Sequence, residues 1–277
     1  MRRSKKMALR KALTITAGGL AVSMATPAIA QQAPPTGPAL PADEQPFAGQ
    51  IGKSYRDSTA SFPAPVTAPA GAPNVLVVLT DDVGFGAAST FGGPIPTPNL
   101  DRLAARGLIY NRFHTTAMCS PTRASLLTGR NHHAVGNGIV ANLTTGFPGY
   151  NNLLPKSAAT IAEVLRQSGY NTGMFGKHHN APEDQVSPQG PFDLWPTGLG
   201  FEYFYGFMAA ETNQFTPALY RGNAPIPTLK DGEVLDHAIA SETINWIHNQ
   251  QAVDPGKPFF AYLATGSAHA PLQAPAD

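Results

Sequence analysis

The stretch that most restricts how this 277-residue chain can fold is Asn74-Val75-Leu76-Val77-Val78-Leu79, an apolar run rich in β-branched residues that stops at Thr80-Asp81-Asp82. With no polar alternation it predicts a central parallel strand buried on both faces. In an open α/β sheet, ligands bind beyond the carboxyl ends of such strands, so Asp81 and Asp82 stand where a site is expected. Two adjacent carboxylates repel unless a cation lies between them, and Ca²⁺ or Mg²⁺ prefers that oxygen-rich setting. The other reading, equally open on these residues alone, is that one Asp caps a turn and the other is solvated.

The chain beyond this strand alternates helix and strand signals, the pattern of an α/β sheet. Thr97 as N-cap, Pro98 at the first position, Leu100 and Leu103 as the buried face and Gly107 as the stop predict a short helix. Leu108 to Phe113 reads as a strand returning toward Cys119. Thr160 to Gly169 is a second helix with its glycine stop, and Asn171 to Phe175 is the strand that follows, leading into Gly176-Lys177-His178-His179. Leu235 to Gln251 carries a helical period through Leu235, Ile239, Ile244 and Ile247, which predicts an amphipathic cover helix. Pro258 to Ala264 is another buried strand, ending in Thr265-Gly266-Ser267-Ala268-His269. Trp195 and Tyr203-Phe204-Tyr205 could line a pocket for an aryl group, although aromatic clusters more often build core. His132 and His133 are neighbours that cannot easily share one ion, and a structural loop role suits them better.

Cys119 is the only cysteine of the chain, so no partner exists for an intramolecular disulfide. Pro121 suits a first helical turn and Ala124 to Leu127 continue it, which puts Cys119 at a helix N-terminus. Orphan N–H groups and the dipole's positive end favour an anion there, and Arg123, one turn on, adds a cation. The place suits a negatively charged tetrahedral group.

The pattern Cys119-x-Pro121-x-Arg123 followed by Ala124-Ser125-Leu126-Leu127-Thr128-Gly129-Arg130 resembles the signature of the sulfatase family. The likeness runs from about Asn74 to the end of the chain. It implies an alkaline-phosphatase-like α/β fold, with a mostly parallel sheet and helices on both faces, and hydrolysis of sulfate esters, aryl sulfates in particular. It further implies that a formylglycine-generating enzyme oxidises Cys119 to formylglycine (3-oxoalanine), whose hydrate attacks sulfur. Asp81, Asp82 and residue 119 would hold Ca²⁺, or Mg²⁺, while Arg123 and Lys177 neutralise charge. His179 would act as base, and His269 would contact the ester and help the alcohol or phenol leave. The family usually has tryptophan in the middle of Lys-x-His, whereas this chain has His178, so either histidine could hold the catalytic position; spacing favours His179. Phosphonate monoester and phosphodiester hydrolases share the fold and the Cys-x-Pro-x-Arg motif. A fragment that binds sulfated ligands without turning them over is the reading of a different class. Sulfatases are considerably longer and supply an Asp-Asn pair and a further lysine later in sequence, so the chain is expected to be an N-terminal portion with an incomplete sheet and weak activity.

At the amino end, Arg2, Arg3, Lys5, Lys6, Arg10 and Lys11 precede an apolar run from Ala12 to Met24 and the cleavage pattern Ala28-Ile29-Ala30. Residues 1–30 read as a signal peptide, too short in its apolar part to remain a stable membrane span, so the protein is expected to be exported to a periplasmic or extracellular space. All six charges of that segment are basic, so of 19 Lys and Arg 13 remain against 18 Asp and Glu, a net charge of −5. That balance argues against nucleic acid as a partner. Residues 31–73, rich in Pro, Ala and Gln, read as a leader that is either flexible or anchored along the domain by Phe47, Ile51, Tyr55 and Phe62. Residues 74–277 form the expected catalytic domain.

Overall fold

A computed structural model describes residues 46–276; the signal-peptide reading of 1–30 and the first part of the leader lie outside the described residues. The strands are β1 (Val75–Leu79), β2 (Asn171–Lys177), β3 (Tyr203–Phe207), β4 (Leu219–Arg221), β5 (Ala224–Ile226) and β6 (Phe259–Ala264). They join one sheet in the order β1-β6-β2-β3-β4-β5. The first four in that order run parallel, and β4 and β5 follow β3 as an antiparallel extension. The helices are α1 (Pro98–Ala104), α2 (Cys119–Thr128), α3 (Ile161–Gln167) and α4 (Leu235–Val253).

Successive strand residues point to opposite faces, so the apolar runs of β2 and β6 feed two cores at once. On one face Ala124 and Leu127 of α2 and Ala162 of α3 pack with Met174, Phe204, Phe260 and Tyr262. On the other, Leu235, Ile239 and Trp246 of α4 pack with Phe175, Phe259 and Ala261. Each fully buried side chain of this size contributes roughly 1.5–3 kcal/mol. Thr160 caps α3 by accepting the Glu163 N–H at 3.1 Å, and Gly129 ends α2 in the left-handed conformation that a side chain resists.

Several local expectations are corrected. The run Val75 to Leu79 forms a parallel strand, but at the edge of the sheet, hydrogen-bonded to β6 on one side. Its Val75, Val77 and Leu79 pack on the first core, while Leu76 and Val78 are 51% and 56% exposed. Apolar content reports a preference for burial, and here α4 covers β2, β3 and β6 instead. Leu108 to Phe113 forms no strand: no neighbouring strand pairs with it, and Leu108, Tyr110 and Phe113 are exposed. Leu100 and Leu103 of α1 are also exposed, because Asp101 ties that helix to the preceding loop by accepting from Ser89 Oγ at 3.0 Å and Thr90 Oγ1 at 2.5 Å. The buried stripe of α4 is Leu235, Ile239, Thr243 and Trp246, with Ile244 facing outward. Among the leader residues, Phe47, Ile51, Tyr55 and Phe62 are exposed and anchor nothing, whereas Ala68 and Ala72 pack on the first core.

Candidate active site

The carboxyl ends of β1, β2 and β6 lie side by side, and the N-terminus of α2 meets them there. β1 delivers Asp81 and Asp82, β2 delivers Lys177 to His179, β6 delivers His269, and Cys119 opens α2 rather than following a strand. The approach of β2 to its neighbours depends on glycine. Gly176 has φ +95°, and a Cβ there would sit 1.8 Å from the Ala264 carbonyl oxygen; a Cβ on Gly206 would sit 2.0 Å from the Gly176 oxygen. Of the four non-glycine residues with positive φ among those described, two are the site residues Asp82 (φ 53°) and His179 (φ 52°). Left-handed backbone is costly for a side-chain-bearing residue, and such outliers cluster at functional sites.

Asp81 and Asp82 part company despite being neighbours. Asp81 is buried and accepts from Lys177 Nζ at 2.5 Å through Oδ2, while its Oδ1 lies 3.4 Å from Arg123 Nη2. Arg123 also donates through Nη1 to the Lys177 carbonyl at 2.9 Å, which locks α2 onto the end of β2. Lys177 is 0% exposed, so its charge is spent on Asp81 rather than presented to a cavity. The Asp82 side chain, by contrast, is 61% exposed and faces His269 Nε2 at 3.7 Å.

The two adjacent histidines occupy different settings. His178 donates from Nε2 to the Leu194 carbonyl at 2.8 Å inside the core, and burial pushes its pKa down to about 4. His179 places Nε2 3.3 Å from Asn142 Oδ1 and lines a cavity shared with Cys119. Burial first, then the positive charges of Lys177 and Arg123, lower its pKa to about 2. It is a neutral imidazole at any ordinary pH. His269 donates from Nδ1 to the Ala270 carbonyl at 2.9 Å, with the Glu211 carboxylate 3.8 Å from the same nitrogen.

Cys119 stands between two cavities. One of about 300 Å³ is bounded by Asp81, Asp82, Thr115, Cys119, Thr122 and Arg123. The other, about 450 Å³, is bounded by Cys119, Asn142, His179, Glu211 and His269 with Val140, Ala141, Val186 and Met208. A larger groove of about 700 Å³ near Lys156, Arg166 and Asp193 lies away from these strand ends. His132 and His133 open a short 3-10 turn, His132–Val135, with their rings tilted against each other at 4.1 Å, and Trp195, Phe201 and Phe204 are core.

Asp82, Cys119 and His269 each bring one ligand atom into a cluster whose members lie within 4.8 Å of one another. A hard dication wants six to eight oxygens, and this set offers one oxygen, one sulfur and one nitrogen. With both Asp81 oxygens engaged by cations, the thiol form of the site does not fit Ca²⁺ or Mg²⁺. Asn142, Asn180 and Glu211 carried no spacing signal in the sequence. Asn180 is buried and donates to the Ser120 carbonyl at 2.9 Å and to Asn137 Oδ1 at 3.1 Å, steadying the first turn of α2.

One end of the parallel sheet thus gathers buried cations, imidazoles and a thiol at a helix N-terminus. The family model described as Sulfatase matches residues 73–277, and the chain belongs to the sulfatase family. It is 33% identical over 216 residues to the arylsulfatase of Klebsiella aerogenes, covering 73% of this chain and 44% of that protein. It is 32% identical over 229 residues to N-acetylgalactosamine-6-sulfatase of Homo sapiens, covering 73% and 40%. A crystal structure of Ps i-CgsB in complex with k-i-k-neocarrahexaose superposes with a TM-score of 0.58 at 26% identity, over 73% of this chain and 47% of that one. A structure in complex with its substrate D-glucosamine-2-N,6-O-disulfate gives 0.55 at 26% identity, over 72% and 35%. The fold is accordingly the alkaline-phosphatase-like α/β sheet of that family, and the chain spans less than half the length of these relatives.

Proposed function

We propose that this chain carries the nucleophile-bearing half of a formylglycine-dependent sulfatase site and that the enzyme hydrolyses an aryl sulfate. One observation supports the reading above others: Cys119 opens α2 between two cavities, with Arg123 lining one and His179 and His269 lining the other. Formylglycine at position 119, made by a formylglycine-generating enzyme, would supply in its hydrated form the hydroxyl that attacks sulfur. Around it, the N–H groups of the first helical turn and the Arg123 guanidinium favour the charge that builds on the sulfuryl oxygens. Lys177 contributes indirectly, by neutralising Asp81 so that the carboxylate does not repel sulfate. His179, held neutral, is ready to accept a proton, and a sulfate beside it offsets the repulsion from Lys177 and Arg123 that lowers its basicity. His269 is placed to pass a proton to the departing oxygen.

The second cavity favours an aryl over a sugar leaving group. Val140, Ala141, Ala181, Val186, Met208 and Ala209 give it an apolar lining, while Glu183 and Glu211 disfavour a ligand with further sulfates. Mass measurement of the Cys119 peptide from protein made with the modifying enzyme, followed by turnover of an aryl sulfate, an aryl phosphate diester and N-acetylgalactosamine 6-sulfate, tests the proposal. Conversion of Cys119 and preference for the aryl sulfate are expected. An unconverted thiol, or faster turnover of the diester, overturns it. Residues 1–30 are proposed as the export signal, 31–73 as a leader and 74–277 as the catalytic portion. Among the described residues no helix is long and apolar enough to cross a membrane. Loss of export on deleting residues 1–30 is the expected result.

A further inference from the structure

The mismatch between this donor set and a hard dication points to a different ligand for the unmodified protein. Thiol sulfur, imidazole nitrogen and one carboxylate oxygen are the donors of a borderline-soft ion that accepts four ligands, with water in the fourth position. We propose that, before Cys119 is oxidised, Asp82, Cys119 and His269 bind Zn²⁺ or a chemically similar thiophilic dication, so that the metal occupies the nucleophile position.

The three ligand atoms converge within 4.8 Å, with Asp82 Oδ2 3.7 Å from His269 Nε2. Tetrahedral zinc with bonds of 2.0–2.3 Å puts its ligands roughly 3.3–3.8 Å apart, so the Asp82–His269 spacing already fits and no pair has to close by more than about 1–1.5 Å. Asp82 can shift to bring its oxygen nearer, because its side chain is exposed and, among the described residues, its one ionic neighbour is His269. His269 is already oriented: its Nδ1–H is directed at the Ala270 carbonyl, with the Glu211 carboxylate near the same nitrogen, which leaves the Nε2 lone pair toward Asp82 and Cys119. A histidine whose second nitrogen is tied to a carbonyl or carboxylate is the usual arrangement of a metal ligand. Binding forms a Zn–S bond and releases the thiol proton to solvent, with no change in oxidation state. Conversion of Cys119 to formylglycine exchanges sulfur for oxygen and moves the set away from zinc toward hard ions. The same three residues thus change metal preference with the modification.

The test uses the full chain made in a host without the modifying enzyme, its thiol at 119 verified by mass. Co²⁺ is titrated in and followed by the near-ultraviolet sulfur-to-cobalt charge-transfer band, then displaced with Zn²⁺. A one-to-one endpoint is expected, with the band abolished in Cys119→Ser and the affinity reduced at least tenfold in His269→Ala and in Asp82→Asn. Zn²⁺ is also expected to slow alkylation of Cys119 by iodoacetamide at least tenfold. Circular dichroism spectra matching the parent show that each variant is folded. No charge-transfer band, or a band of equal affinity in both His269→Ala and Asp82→Asn, overturns the proposal. These readouts require no turnover, so their failure is distinct from failure of the sulfatase reading.

Discussion

Asp81→Asn neutralises the carboxylate that pairs with two buried cations, Lys177 Nζ at 2.5 Å and Arg123 Nη2 at 3.4 Å, while changing the volume very little. Leaving a buried ion without its partner costs about 3–5 kcal/mol. For a chain of this size 1 kcal/mol moves the melting temperature by about 2–4 °C, so the expected fall is roughly 6–20 °C. Asp82→Asn is the matched control: the side chain is largely exposed, its one ionic neighbour among the described residues is His269 at 3.7 Å, and asparagine tolerates its positive φ, so the change should stay within about 1 kcal/mol. Removing one cation as well should return part of the loss. Asp81→Asn combined with Lys177→Met is expected to be about 1–2 kcal/mol more stable than Asp81→Asn alone. Urea unfolding of the four proteins, with thermal melts alongside, gives the numbers. Equal stability of the two single variants within about 1 kcal/mol, or a double variant less stable than Asp81→Asn, would refute the view that Asp81 works here as the counter-ion of a buried cluster.

Gly176→Ala should abolish soluble folding, because its methyl group would meet the Ala264 carbonyl at 1.8 Å; normal yield and melting temperature would contradict the close approach of β2 and β6. His178 has a folded-state pKa of about 4 against an ordinary value near 6.5, so the unfolded chain binds more protons between them. Stability is therefore fully present above about pH 6.5 and lost at up to about 1.4 kcal/mol per unit as pH falls toward 4. His178→Gln should reduce that slope by its own share of up to about 1.4 kcal/mol per unit in urea titrations, leaving the slope that His179 contributes, and an unchanged slope would rule out the assignment. Cys119→Ala should remove turnover by the modified full-length enzyme by a factor on the order of 10⁴ or more while leaving the melting temperature within about 3 °C; retained activity would end the formylglycine proposal.

The parallel sheet was legible from its apolar runs. What the residues could not convey was neighbourhood. Val75 to Leu79 and Leu108 to Phe113 are both apolar, yet among the described residues the first pairs with β6 on one side and the second pairs with no strand. Pairing depends on which partners arrive, and hydrophobic content carries no record of that. β3 passed as an aromatic cluster because Tyr203-Phe204-Tyr205 lies too close to Trp195 and Phe201 for a strand to stand out. At the site, adjacency in sequence suggested one shared metal for Asp81 and Asp82. The left-handed turn at Asp82 sends the two carboxylates to different partners, and a backbone reversal of that kind leaves no signature in residue type. His178 and His179 were ambiguous by spacing and, although both are buried, separate by partner, one donating into the core and the other lining the cavity.

The edge position of β1 has a bearing on how the site behaves in time. Among the described residues this strand is held along its length by β6 on one side, and in this chain that leaves it less restrained than β2 and β6. Asp81, just past its end, is clasped across β6 by Lys177 at the end of β2. The ion pair therefore adds a side-chain clasp to the backbone bonds that the Thr265 and Ala268 N–H groups donate to the Leu79 and Asp81 carbonyls at this margin. Amide exchange at Val78 and Leu79 should report how firmly that margin is held. Faster exchange there in Lys177→Met than in the parent would show that the clasp, and not the ladder alone, steadies the margin from which Asp82 projects.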